Sequence, residues 1–442
     1  MPPPEPDPND PFGLARLFGS TGGMPGGADL FGQLQQLLSW RGGPVNWDLA
    51  RQVAETATRA DDRPVTAEEI REIAEASRLA DHWLDPLTTL PAAGLEQEAW
   101  TRTGWLTSTL PAWQQLVDPV AGRVTAAMGT ALEQGLSGED LPPELAGLLG
   151  GAGGAHPFAG VMQQVGGLVF GAQVGQALGA LASEVLGTTD VGIPLGRAAL
   201  LPANVAAFCE GLGVPADEAR LFLALREAAH QRLFAHVPWL KAHLFDAVDA
   251  YARGIDVDLG AIEQAIGNFD PSNPEAVQEA LSNGLFELEP TPAQRAALAR
   301  LEDALALVEG WVDQVVDAAA SGTLPHAAQL RETVRRRRAT GGPAEQTFAT
   351  LVGLQLRPRR LREAAALWAG LTATQGLEGR DALWAHPDLL PSLDPVEAPD
   401  TGTETDWDAG LRALDKDLDG QLDDDAQSPY GLDGDPDGPP GG

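Results

Sequence analysis

The chain has 442 residues, with 63 acidic side chains against 29 basic ones and a formal net charge of −34. Nucleic acid and anionic membrane both require a basic surface, so this charge argues against either as the main partner. One cysteine, Cys209, rules out a disulfide framework within the chain and fits a reducing cytoplasm.

The N-terminus, Met1-Pro2-Pro3-Pro4-Glu5, has neither a basic region nor an apolar core, so no signal peptide is visible and a cytoplasmic location is expected. Residues 1–28 are rich in Pro and Gly and read as disordered. Residues 45–390 carry helical periodicity. Trp47 to Ala60 predicts one helix. Thr66-Ala67-Glu68-Glu69 is a capping box that opens a second. Trp100, Trp105 and Trp113 follow on amphipathic stretches and suit packing. Gly147 to Ala155 is a glycine-rich break.

His156 to Ser183 contains no Asp, Glu, Lys or Arg. Small residues recur four apart, at Gly167 and Gly171 and at Gly175 and Gly179. Gln163, Gln164, Gln173 and Gln176 interrupt the run and no basic residues flank it. A closely packed helix is expected there, with no membrane span. Val191 to Leu195 predicts a short strand, confined to a sheet edge by Pro194.

A helix is then expected over 217–235, ended by Pro238, with another from Leu240 to Arg253. Thr291-Pro292-Ala293-Gln294 combines a capping box with proline at the first helical position and predicts a long helix to about Ala320. Two or three more helices reach about Trp384. Residues 391–442 are acidic and Pro/Gly-rich and read as a disordered tail. The fold class expected is mainly α, with at most a small sheet beside the 217–235 helix.

That helix carries Leu225-Arg226-Glu227-Ala228-Ala229-His230. A zincin helix presents His-Glu-x-x-His: two histidines on one face hold Zn²⁺, and the glutamate is the general base. Glu227 and His230 are in register with that pattern, but Arg226 takes the place of the first histidine. A guanidinium stays protonated and has no lone pair for a metal. Downstream, Glu309-Gly310-Trp311-Val312-Asp313 supplies a carboxylate for third ligand and, four residues on, an acid that could orient a ligand histidine. His236, ten positions after Arg226, is the rival third ligand, though Leu233 stands where that arrangement needs glycine. His243 is a further possibility.

Together, Leu225–Leu240, Val308–Asp313 and Ala344–Trp368 resemble an actinobacterial family of zincin-like hydrolases and zinc-dependent metalloproteases. A relative of that family is associated with deazaflavin-cofactor biosynthesis. The resemblance spans roughly residues 45–390 and implies a zincin-like fold. It also implies zinc as cofactor and a peptide or protein substrate. It makes Glu227 the base, His230 and Glu309 the metal ligands and Asp313 the orienting acid. Arg226 departs from the pattern. Either the chain is a hydrolase using His230, Glu309 or His236 and Glu227, or it is a non-catalytic binding or scaffold protein. In the second case Arg226 would neutralise Glu309 or Asp313 where a zinc ion would otherwise sit.

Two weaker signals remain. Asp415-Lys416-Asp417-Leu418-Asp419-Gly420 matches half a calcium loop, but Ala426 stands where a bidentate glutamate is required. Arg335 to Arg338 is a run of four arginines, expected as a solvated helix face paired with local carboxylates.

Overall fold

The computed structural model describes residues 42–94, 96–135, 156–255, 291–339 and 360–393. The Pro/Gly-rich start, the Gly147–Ala155 break, the calcium-loop-like segment and nearly all of 391–442 lie outside them. The described chain is mainly helical: α1 Trp47–Thr58, α2 Ala67–Leu84, α3 Arg102–Gly135, α4 His156–Glu184, α5 Pro202–Cys209, α6 Ala216–His236, α7 Pro238–Arg253, α8 Pro292–Ala320, α9 Ala327–Ala339 and α10 Leu361–Ala382. Two-residue strands, β1 Glu98–Ala99 and β2 Ala199–Leu200, form a parallel pair.

The helix starts follow from their caps. Thr66 accepts from the Glu69 amide while the Glu69 carboxylate takes the Thr66 amide, and Thr291 and Gln294 repeat this reciprocal arrangement at α8. α6 ends at His236, two residues before Pro238, which serves as the first residue of α7, where its missing N–H costs nothing.

The uncharged helix α4 packs on α1 through its glycines. A Cβ on Gly171 would come within 2.6 Å of the Asn46 carbonyl, and one on Gly175 within 2.5 Å of the Ala50 carbonyl. The backbones meet because no side chain stands between them. No described helix is long and apolar enough to cross a membrane. Trp105 and Trp113 are fully buried and pack as a tilted pair with centroids 6.5 Å apart. Gly310 of α8 lies against Ala364 of α10 in the same way, a Cβ there falling 2.6 Å from the Ala364 methyl.

The strand expected at Val191–Leu195 is not formed. Val191, Ile193 and Leu195 are buried, but Gly192 between them is buried as well and the segment is a run of turns and bends. Gly192 adopts φ +80°, and Pro194 has no N–H for a ladder. Sheet pairing falls instead on Ala199–Leu200, with Gly187 bridging to Leu200 on the other side. This small sheet lies beside α6, whose Ala224 carbonyl accepts from the Gln97 side chain at 2.8 Å.

Candidate functional site

The site lies where α6 faces α8. Arg226, Glu227 and His230 of α6 and Glu309 of α8 are all buried. Burying charge is costly unless it is paired, so the pairing defines the chemistry.

Glu309 is the centre. Its Oε2 accepts from Arg226 Nη2 at 2.7 Å. Its Oε1 faces His230 Nε2 at 2.9 Å and Arg338 Nη1, from the last turn of α9, at 2.6 Å. Burial alone would raise the Glu309 pKa. The Arg338 and Arg226 guanidinium groups and the hydrogen-bonded His230 ring outweigh it and hold the carboxyl well below the usual range. His230 Nδ1 meets the Arg226 carbonyl at 2.8 Å. A carbonyl oxygen only accepts, so Nδ1 is the donor in that contact.

Glu227 points elsewhere. It accepts from the Thr188 hydroxyl, from the Thr189 amide at 3.1 Å, from the Thr189 hydroxyl at 2.7 Å and from Gln231 Nε2 at 3.1 Å. It therefore clamps the loop that follows α4 onto α6. Gly187 is required in that loop, because a Cβ there would fall 2.7 Å from Glu227 Oε2. The same loop passes Glu309 at Gly192, where a side chain would be both strained and close to the carboxylate.

Asp313 is also away from His230. Arg331 Nη2 holds it at 2.7 Å and Arg335 Nη2 at 2.6 Å. Despite partial burial, these guanidinium groups keep its carboxyl pKa low. The role of orienting a ligand histidine, expected for Asp313, falls instead to the Arg226 carbonyl. His236 is the exposed last residue of α6. His243 sits edge-on to Trp239, centroids 5.6 Å apart. The structure thus joins Arg226, His230 and Glu309, and leaves Glu227, Asp313, His236 and His243 on other partners.

The arginine run is what the sequence reading undervalued. Only Arg336 is a solvated member, paired with Glu332. Arg335 reaches Asp313, Arg337 reaches Asp190 Oδ2 at 2.7 Å, and Arg338 reaches both Glu309 and the Asp190 carbonyl. Asp190 in turn accepts from the Leu186 amide at 3.0 Å. A signal was present: Arg331 and Arg335 are four apart, as are Asp313 and Asp317, so two helices can pair them in register.

A zinc ion needs at least three protein donors with lone pairs. No three His, Cys, Asp or Glu side chains come together as such a group among the described residues. Two guanidinium groups already face the one carboxylate on offer. The residues present do not fit zinc.

Two helices, one carrying Glu-x-x-His and the other offering a carboxylate to that histidine, make this a zincin-like protein. The model of the zincin-like metallopeptidase family matches residues 45–401, and the chain belongs to that family. A Chloroflexus aurantiacus protein of known structure, provisionally described as a hydrolase with a novel fold, is similar to it at 19% identity and a TM-score of 0.55. The match covers 80% of this chain and 96% of that one, and at that identity the likeness concerns the fold alone. No curated protein is matched by the sequence.

Proposed function

We propose that this chain is a metal-free member of the zincin-like family, its catalytic constellation converted into a closed ion cluster, and that it acts by binding. The observation that carries this is the state of Glu309. Both of its oxygens are engaged, Oε2 by Arg226 and Oε1 by Arg338 and His230, and two fixed guanidinium charges stand where a metal cation would have to approach. Glu227 supports the same reading, since a general base must reach a water or substrate proton and its oxygens are taken up by Thr188, Thr189 and Gln231. A guanidinium can balance charge but cannot act as a Lewis acid or generate a bound hydroxide. Family membership makes a peptide or protein segment the expected class of partner, and the acidic composition fits a cytoplasmic role away from nucleic acid.

The test is a peptide-hydrolysis screen on the full chain with zinc supplied, run beside Glu227→Gln. The reading expects no hydrolysis that depends on Glu227. Turnover in the unmodified protein that disappears in Glu227→Gln would establish an active peptidase and refute it.

A further inference from the structure

We infer that two guanidinium groups, Arg226 from α6 and Arg338 from α9, jointly occupy the electrostatic place of a zinc ion here, so that no single substitution re-creates a metal site. The inference rests on the metal-free reading above and assigns a role to α9 that the α6 motif does not contain.

The arginines of α9 run as a ladder along α8. Arg331 takes Asp317 at 2.6 Å and Asp313 at 2.7 Å. Arg335, one turn on, takes Asp313 at 2.6 Å. Arg338, nearly one turn further, takes Glu309 at 2.6 Å. Ascending α9 therefore means descending α8, and each acid meets a guanidinium in order. Leu330 and Val334, both buried, fix the rotation of α9 that makes this possible. Arg338 is also anchored from the side, donating to the Asp190 carbonyl at 2.9 Å while its neighbour Arg337 holds the Asp190 carboxylate. Its place on Glu309 is thus set by contacts independent of Arg226.

The two arginines divide the carboxylate. Arg226 holds Oε2, and Arg338 holds Oε1, the oxygen that also faces His230. Oε1 is the carboxylate oxygen beside His230, 2.9 Å from its Nε2. Replacing Arg226 by histidine supplies a nitrogen ligand and frees Oε2, but it leaves a fixed positive charge on the oxygen that matters. Like charges at such range exclude one another.

The test measures zinc bound by the full-length protein after dialysis against zinc, with a chromophoric chelator as competitor. The variants are Arg226→His, Arg338→Gln and the two combined. The unmodified protein and each single variant should hold less than ~0.1 equivalent, and the double variant about one equivalent with a zinc-dependent rise in Tm. Adding Glu309→Ala to the double variant should remove that zinc. Near-stoichiometric zinc in Arg226→His alone would overturn the inference while leaving the metal-free reading of the unmodified chain intact. A cooperatively folded double variant that stays zinc-free would also overturn it. Stoichiometric zinc in the unmodified protein would defeat the metal-free reading itself. Arg338→Met, which keeps the aliphatic stem, replaces Arg338→Gln if the latter prevents folding, and the Arg226→His result stands by itself.

Discussion

Glu309 takes two guanidinium groups and faces one imidazole with its two oxygens. Removing the acceptor strands the buried Arg226 and takes one partner from the half-buried Arg338. Glu309→Gln should therefore cost about 3–5 kcal/mol in denaturant unfolding, the range for breaking one side of a buried ion pair. Arg336→Ala is the internal control, because Arg336 is 75% exposed and its solvent-screened pair with Glu332 should leave the unfolding midpoint essentially unchanged. Equal effects of the two substitutions would contradict the pairing described. Glu227→Gln removes an acceptor shared by Thr188 and Thr189, and should cost about 1–3 kcal/mol by leaving a buried donor unmet. An unchanged unfolding midpoint in that variant would show that the loop does not depend on Glu227.

At the scale of the helices, glycine does two different things. Gly175 of α4 sits against the Ala50 carbonyl and the Val53 side chain. Gly175→Ala would drive a methyl into main chain and should destabilise by at least about 2 kcal/mol. Gly370 of α10 has nothing within 4 Å of a built Cβ, so Gly370→Ala should stabilise by about 0.5–1 kcal/mol through helix propensity. Thermal unfolding of the two variants compares them directly, and a destabilising Gly370→Ala would mean that α10 is not packed as described. Much of this level was legible in the sequence. The capping box at Thr291 and the length to Ala320 follow from local rules, and the glycine spacing in α4 announced a close helix contact. Arg226 and Glu309, 83 positions apart, were placed together by motif logic. The strand expected at Val191–Leu195 does not form because a short apolar run records burial and says nothing of a hydrogen-bonding partner. Arg338 was missed for a related reason. A run of four arginines has no face until the helix is docked, and the docking depends on α8 acids in another part of the chain.

Across the whole molecule the same acids set the response to pH. Burial raises the pKa of Glu309, Asp313, Asp190 and Asp381, and arginine neighbours more than reverse this for each. Their folded values lie below their unfolded ones. The stability they contribute is therefore complete above the unfolded carboxylate range near ~4 and is lost as pH falls below it. Asp381 extends the effect beyond the site, since it accepts from Arg380, Trp311, Thr88 and Thr89 and ties the 88–89 segment to α8 and α10. Denaturant midpoints measured from pH 7 downward should drop steeply below about pH 4, and the drop should be shallower in Glu309→Gln. A profile flat to pH 2 would contradict the buried ion pairs.

The most direct measurement is the metal content of the unmodified protein, purified without chelator and then titrated with zinc. A carboxylate held by two guanidinium groups, with no three metal-ligating side chains grouped beside it among the described residues, predicts less than ~0.1 equivalent bound and no change in Tm on adding zinc. One equivalent of zinc that survives dialysis, lost together with His230→Ala, would contradict the account at its centre.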